Sequence, residues 1–310
     1  MTSAHTKTAV RQRAYEFGRE YRVWGRNGSF IPDHSLVESF VQQEYDTIPE
    51  QERVGKGLLF ISRAVAEGFY KVAKQEKVMV DLSQLVHLFD IGERSGNRVL
   101  TYLALNLLGE HANAAPSTHK TILGQVDRWG SSEDWEIRES SCVVVRACLK
   151  KNPAFTLNVL ENWSQSADEN IRRLVAESLR PMSDIRWLRD PSKNDRVLSI
   201  LSTMLTDSST YVRKSVGNNL KDLSKYMPER ILDLAKEWIA TYGVVVTEDL
   251  ASKSKSEIGP DQYYLVWTLK HTFRWIQARH LEYHETLRSV MGENYVNYFD
   301  EKRNKLAKPK

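Results

Sequence analysis

Two stretches in the middle of the chain decide the fold, because the second repeats the first: WEIRESSCVVVRACLKKNPAFTLNVLENW (135–163) and YVRKSVGNNLKDLSKYMPERILDLAKEW (211–238). In the first stretch Arg138 precedes a proline by 15 residues and a tryptophan by 25 residues. Arg213 precedes the same two residue types by the same distances in the second. A residue pattern that recurs at fixed spacing indicates one structural unit repeated along the chain.

Further arginines extend the pattern. The segment ENIRRLVAESLRP (169–181) begins in the same way, and an earlier copy begins near Arg98. The anchoring arginines are 40, 34 and 41 residues apart: Arg98, Arg138, Arg172 and Arg213. Units of about 40 residues that contain two helices are typical of HEAT-type solenoids.

Each unit has the pattern of a helix, a short proline-containing turn and a second helix. The apolar residues of 211–225 fall on one helix face: Val212, Val216, Leu220 and Leu223. Pro153 and Pro228 suit the first turn of the second helix, where no N–H group is needed. The sequence therefore predicts an all-α fold, a HEAT-like solenoid that forms a right-handed superhelix of antiparallel helix pairs with one long concave groove.

The repeat divides the chain into three predicted parts. Residues 1–92 have helical patterns but lack the arginine and tryptophan anchors, so we expect an N-terminal helical cap. Residues 93–291 form the repeats, interrupted at 242–262 by a loop rich in Ser, Lys and Gly. Residues 292–310 form a charged tail.

Composition excludes several protein classes. With 41% apolar and 27% charged residues the chain is globular rather than disordered, and only 15 Gly and 9 Pro argue against sandwiches and barrels. No apolar run reaches the roughly 18 residues of a membrane span. Two cysteines give no disulfide framework, and no secretory signal is visible, so we expect a cytoplasmic protein.

The positive charge is concentrated at the two ends. Residues 1–30 contain six Lys and Arg against two Glu, and residues 301–310 contain five against one. The total is only +4, so the remainder carries a net charge of −4. Basic ends are compatible with a polyanionic partner, and equally with solvated tails.

Common catalytic motifs are missing from the sequence. It contains no GxSxG, Walker A, GxGxxG, CxxC or HExxH pattern. His280 and His284 could share a helix face, but two histidines without a third ligand do not predict a metal site. We therefore expect no metal and no cofactor.

The polar helix faces carry a second signal. One face of 171–180 holds Arg173, Glu177 and Arg180, and the corresponding face of 211–225 holds Lys214, Asn218, Lys221, Asp222 and Lys225. Side-by-side first helices would place Glu177 and Asp222 in one groove, with Trp187 in the following connection. This is either an ion-paired, solvated surface or a site whose basic residues hold phosphates and whose acids hold a cation.

The same segments resemble a known family. ENIRRLVAESLRP (169–181), Trp187 and DSSTYVRKSVGNNLKDLSKYMPE (207–229) are similar to the HEAT-like-repeat alkylpurine DNA glycosylases, the AlkC/AlkD superfamily, with the AlkC branch nearer. The resemblance covers about 135–240, with a weaker match at LKHTFRWI (269–276).

The resemblance implies a monofunctional DNA glycosylase. Such enzymes hydrolyse the N-glycosidic bond of cationic alkylated bases, such as N3-methyladenine and, in the AlkC branch, N3-methylcytosine, without flipping the base. It also implies that the concave groove is a DNA-binding groove that grips double-stranded DNA containing alkylated bases. We expect a monomer and no membrane partner. A non-catalytic nucleic-acid-binding HEAT protein and a protein-interaction scaffold remain alternatives.

The resemblance also implies roles for individual residues. Asp222 and Glu177 would stabilise the positive sugar and orient water, and Trp187 would contact the cationic sugar or base. The predicted DNA-binding residues are Arg173, Lys214, Asn218, Lys225, Arg138 and Glu139. The chain departs from the family at two positions: Cys142 replaces a glutamate, for which Glu139 is expected to substitute, and Gly217 replaces an alanine.

Overall fold

The computed structural model describes residues 6–30, 33–53, 55, 57–296 and 305–308. Over these residues the regular structure is helical, with a single antiparallel bridge between Trp24 and Phe30 and no β-strand. This confirms the predicted all-α class. None of the described helices is both long enough and apolar enough to cross a membrane.

The chain forms two compact units, Met1–Thr156 and Leu157–Lys310. The helices of the first unit are α1 (Lys7–Glu20), α2 (His34–Asp46), α3 (Leu58–Glu76), α4 (Leu82–Ser95), α5 (Arg98–Ala114), α6 (His119–Gly130) and α7 (Trp135–Lys151). Helices α1, α3, α5 and α7 pack successively in one row, with α4 against α5 and α6 against α7. Helix α8 (Pro153–Trp163) includes the unit boundary in sequence.

The second unit contains the other copies of the repeat. Its helices are α9 (Glu169–Ser178), α10 (Asp195–Ser202), α11 (Thr210–Leu223), α12 (Pro228–Thr241), α13 (Lys255–Ile258), α14 (Pro260–Arg279) and α15 (His284–Met291). Helix α11 packs between α9 and α14. The predicted side-by-side placement of equivalent first helices is therefore present in this unit.

Local sequence explains where these helices begin. The carboxylates of Asp134 and Asp168 and the hydroxyl of Ser209 accept hydrogen bonds from backbone N–H groups in the first turns of α7, α9 and α11. Helices α8 and α12 begin at Pro153 and Pro228, as predicted.

The repeated arginine has a structural function. In three repeats its Nη1 donates to the carbonyl oxygens six and five residues earlier: Arg138 to Ser132 and Glu133 (2.6 and 2.9 Å), Arg172 to Ser166 and Ala167 (2.8 and 2.9 Å), and Arg213 to Asp207 and Ser208. The guanidinium thus ties the turn before each first helix to that helix. The geometry assigns Arg138 this role, and DNA binding by Arg138 stays a prediction.

Close packing of α11 on α14 accounts for one departure from the family pattern. A Cβ atom at Gly217 would lie 2.7 Å from the Cβ of His271 and 3.1 Å from the carbonyl oxygen of Thr268. His271 therefore occupies the space that the methyl group of an alanine would need.

The predicted three-part division of the chain stays a prediction. The loop 242–262 contains a 3₁₀ turn (Leu250–Ser252) and α13 before α14 begins at Pro260. In the tail 292–310, residues 297–304 and 309–310 lie outside the described residues. The backbone N–H of Ala307 donates to the carbonyl oxygen of Gln277 at 2.9 Å.

We expect Arg213→Met to lower the free energy of unfolding by about 3 kcal/mol, because it leaves two carbonyl groups without their charged donor. Arg213 is only 3% exposed, and its guanidinium also lies 4.0 Å from the ring centroid of Tyr264. Urea denaturation measures the difference. The matched control is Lys214→Met, an exposed position on the next residue, and equal losses in both variants would contradict this role.

Candidate functional site

The two predicted acids lie at the same level of neighbouring, parallel helices. Glu177 is in the last turn of α9, and Asp222 is in the last turn of α11. The register of the two helices is fixed by the buried side chain of Asn219, whose Nδ2 donates to the carbonyl oxygen of Ala176 at 2.7 Å. The Glu177 and Asp222 side chains therefore meet on one side of the helix pair.

Arg180 joins these two acids. Its Nη1 lies 3.2 Å from Glu177 Oε2, its Nε donates to Asp222 Oδ2 at 3.1 Å, and its Nη2 also contacts Asp222 Oδ2. The acid side chains are only 10% and 13% exposed, whereas that of Arg180 is 32% exposed. Two carboxylates from successive repeats thus converge on one guanidinium and retain limited access to solvent.

Further cations surround Asp222. The Nζ of Lys225 donates to Asp222 Oδ1 at 2.7 Å, and the Nζ of Lys221 lies 3.4 Å from the same oxygen. Burial by itself would raise the pKa of Asp222, but the hydrogen bonds from Lys225 and Arg180 outweigh it and hold the pKa below its ordinary value of 3.8. Asp222 is therefore ionised at neutral pH.

A cavity of about 320 Å³ opens beside Asp222. Its lining comes from the turn after α9 and from the end of α11 with the turn after it: Arg180, Pro181, Met182, Lys221, Asp222, Lys225 and Tyr226. A fixed, ionised carboxylate in a partly dehydrated setting can stabilise a positive charge that develops during a reaction. The surrounding lysines and arginine can hold phosphate groups.

The predicted DNA-binding residues of this unit differ in accessibility. Arg173 is only 8% exposed and lies 5.1 Å above the ring of Tyr211, so its guanidinium is largely shielded. Lys214 is exposed, and the side-chain oxygen of Asn218 accepts a hydrogen bond from Arg274 Nη2 of α14 at 2.7 Å. Phosphate binding by these residues stays a prediction.

Trp187 does not line the cavity. It belongs to the 3₁₀ turn Arg186–Arg189, is half-buried, and has its indole Nε1 atom buried. The structure brings Glu177 and Asp222 together but places a different aromatic residue, Tyr226, beside Asp222. A catalytic role for Trp187 stays a prediction.

Sequence reasoning placed Arg180 and Lys221 on the polar helix faces without an individual site role, and it did not single out Tyr226. Arg180 follows Glu177 by three residues, and Lys221 and Tyr226 lie one residue before and four residues after Asp222. Arg180 and Tyr226 follow the ends of α9 and α11, and adjacent helical residues such as Lys221 and Asp222 do not face each other. Spacing alone therefore gives no signal that would have brought these side chains to the cavity.

The first unit holds the other two predicted site residues, Arg138 and Glu139. Glu139 and Arg146 line a cavity of about 230 Å³, whereas Cys142 is fully buried and its Sγ contacts the carbonyl oxygen of Arg138 at 3.4 Å. Cys142 therefore faces the core. Substitution of Glu139 for the missing glutamate stays a prediction.

The described residues contain no group of three or more His, Cys, Asp and Glu side chains arranged to hold a metal ion. The Nδ1 of His280 pairs with Glu282 at 2.7 Å, which gives that histidine an ordinary surface contact.

Comparisons with solved structures bear on the fold. The chain superposes on the Pseudomonas fluorescens alkylpurine DNA glycosylase AlkC, solved bound to DNA containing an abasic site analog, with a TM-score of 0.53 and 17% identity. The superposition covers 93% of this chain but only 66% of that one. AlkD2 from Streptococcus mutans gives a TM-score of 0.44 at 19% identity, over 87% of this chain and 100% of the other. The likeness to AlkC confirms the HEAT-like repeat fold.

Comparisons of sequence bear on the family. The uncharacterized protein YhaZ from Bacillus subtilis is 42% identical over 85 residues, which are 26% of this chain and 23% of that protein. The chain thus matches less than a quarter of this relative's length. The sequence model of the family described as "DNA alkylation repair enzyme" matches residues 62–242, more than half of the chain. The protein therefore belongs to the DNA alkylation repair enzyme family.

Proposed function

We propose that this chain is a monofunctional DNA glycosylase that removes cationic alkylated bases, N3-methyladenine first and N3-methylcytosine as a further substrate. The observation that carries the proposal is the convergence of Glu177 and Asp222 on Arg180 in a member of a DNA alkylation repair family. The protein would act as a monomer on double-stranded DNA, without metal or cofactor.

The chemistry follows from the charge of the lesion. Alkylation at N3 makes the base a cation, so it leaves as a neutral molecule when it takes the electrons of the C1′–N bond. The sugar becomes positive at C1′, and ionised Asp222, together with Glu177, stabilises that charge. Asp222 orients the attacking water and accepts its proton as the new C1′–O bond forms, which leaves a free base and an abasic site.

DNA phosphates would change the state of Asp222. In the free protein both of its oxygens are bound by cations, Oδ2 by Arg180 and Oδ1 by Lys225. Backbone phosphates that approach Lys221 and Lys225 would compete for these lysines and release Oδ1 towards the sugar. The structure of AlkC bound to DNA containing an abasic site analog supports DNA as the partner here.

The lining of the cavity supports a reaction in which the base is not extruded. Enzymes that flip a base enclose it in a snug pocket between aromatic and apolar side chains. Four of the seven residues that line the cavity beside Asp222 are charged: Arg180, Lys221, Asp222 and Lys225. Selectivity would then depend on the charge of the lesion, because a neutral base keeps a stronger bond.

One observation favours a second candidate, a DNA-binding repeat protein without efficient chemistry. Cys142 occupies a position where the resembled family has a glutamate, and it is fully buried. Such a protein would bind duplex DNA with a steep salt dependence and release no base.

The test of the proposed function incubates the protein with methylated duplex DNA, in the presence of a chelator and without nucleotide. Chromatography then identifies any liberated base. We expect free N3-methyladenine, together with duplex affinity that falls as salt rises. Salt-dependent binding without release of a base would establish the second candidate. If the protein neither bound DNA nor released a base, both candidate functions would be overturned.

A further inference from the structure

A second cavity, of about 230 Å³, lies in the first unit and is lined by residues of α3, α5 and α7. Its apolar wall consists of Leu59, Phe60 and Val143, all half-buried. Its volume is below the roughly 300–1,000 Å³ of sites for drug-sized ligands. The cavity therefore has room for one small ring system rather than for a folded segment of a partner.

A buried polar group in this lining lacks a hydrogen-bond partner. Ser140 is 2% exposed and lines the cavity, and its Oγ is buried and bonded to no other described residue. The neighbouring hydroxyl of Ser141 donates to the carbonyl oxygen of Ile137 at 2.9 Å, so the difference is not a general property of serines in α7. A buried hydroxyl without a partner costs free energy, which a ligand that bonds to it would recover.

The amide of Asn106 gives the cavity a second polar group that is fixed in orientation. Asn106 is 5% exposed and lines the cavity, and its Nδ2 donates to the carbonyl oxygen of Tyr102 at 2.7 Å. That bond leaves Oδ1 of the amide as an acceptor. A hydroxyl and an amide oxygen together can pair with a ligand whose edge both donates and accepts hydrogen bonds.

The charged residues of the lining favour a ligand that carries negative charge outside its ring. Arg63 and Arg146 line the cavity together with one acid, Glu139. The side chain of Arg63 is 46% exposed, and arginines pair strongly with phosphate groups. A nucleobase in a DNA strand combines these properties, since it has apolar faces and a polar edge and is flanked by phosphates.

We propose that this cavity of α3, α5 and α7 binds an unpaired nucleobase of DNA. The base packs on Phe60, its edge bonds to Ser140 and Asn106, and the adjacent phosphates pair with the two arginines. The proposal goes beyond the proposed function, because the bound base is one that already lacks a partner and not the one that is cleaved beside Asp222. Extruding such a base costs less than extruding a paired one.

The experiment compares two duplexes of one sequence by fluorescence anisotropy, one fully paired and one with a single extra, unpaired adenine. We expect the wild type to bind the bulged duplex about tenfold more tightly, which is the contribution of one base stacked on an aromatic ring. Phe60→Ala should lose this preference and keep its affinity for the paired duplex. Phe40→Ala, which truncates a half-buried phenylalanine of α2, is the matched control and should bind both duplexes as the wild type does.

Ser140→Ala gives a readout that a structural role of the hydroxyl would not give. We expect it to lower the preference about threefold and to melt at a temperature no lower than that of the wild type, because the hydroxyl it removes has no partner in the free protein. A lower melting temperature would give the hydroxyl a structural role and contradict its assignment to the ligand. Thermal melting also verifies that Phe60→Ala and Phe40→Ala are folded.

Four results would overturn the role of the cavity. They are a wild type without preference for the bulged duplex, an unchanged preference in Phe60→Ala, an equal loss in Phe40→Ala, and displacement of the bulged duplex by an equal concentration of free deoxyadenosine monophosphate. The last result would assign the cavity to a free mononucleotide instead of DNA. Because binding is measured without release of a base, a failure here is distinct from a failure of the proposed glycosylase activity.

Discussion

Asp222→Asn is expected to release N3-methyladenine from methylated duplex DNA at least about 100-fold more slowly than the wild type, because the amide can neither stabilise the positive sugar nor accept a proton from water. Asparagine has nearly the shape of aspartate, so the cavity is preserved. Removing the carboxylate leaves Lys221 and Lys225 without this acid and Arg180 with Glu177 alone. Duplex affinity should therefore be maintained or increased.

Single-turnover release under enzyme excess is the appropriate measurement, since it separates chemistry from product release. The matched control is Asp233→Asn, which removes an aspartate of the same unit whose side chain is 61% exposed and paired with Lys236. The control should keep the wild-type rate. If Asp222→Asn also released base at the wild-type rate, Asp222 would not be catalytic.

Arg180→Gln is expected to slow release by about 10- to 100-fold and to move the acidic limb of the pH–rate profile to higher pH. Arg180 is the group that binds both acids, so its loss leaves two shielded carboxylates near each other. Their mutual repulsion favours protonation of one of them.

The direction of the pH shift follows from the charges. Hydrogen bonds from cations hold the pKa of Asp222 below 3.8 in the wild type, so the acid stays ionised until the pH falls below that value. Removing one of these cations raises the pKa, and activity is then lost at a higher pH as the medium is acidified. Arg180→Lys keeps the positive charge but loses the forked geometry of the guanidinium. Compared with Arg180→Gln, we expect it to bring the acidic limb of the pH–rate profile back towards the wild-type position more fully than it brings back the rate of base release. An unshifted limb in Arg180→Gln would contradict the bridging role.

The fold could be predicted because its signals are local. The stripe from Val212 to Leu223 is fully buried, and Pro153 and Pro228 begin helices, since periodicity and proline chemistry act within one element. The pairing of Glu177 with Asp222 followed from one further step, the side-by-side placement of equivalent helices.

The rest depended on side-chain directions that no periodicity specifies. Trp187 lies in an irregular connection, so its distance from Asp222 could not be read from spacing. The arginine at the position of Arg138 recurs because its guanidinium binds carbonyl oxygens of the turn before its helix. The sequence shows the repeated charge but not this contact with the backbone. The absence of a side chain at Gly217 leaves room for His271, a residue that is distant in the sequence.

The central claim is that Glu177 and Asp222 act on one sugar as a single unit, and a double-mutant cycle tests it most directly. The single-turnover release of N3-methyladenine is measured for the wild type, Glu177→Gln, Asp222→Asn and the double variant. We predict that the double variant is scarcely slower than the slower single variant, because groups that act together lose their contribution together. Two rate losses that multiply in full would show that the acids act independently and would contradict the claim.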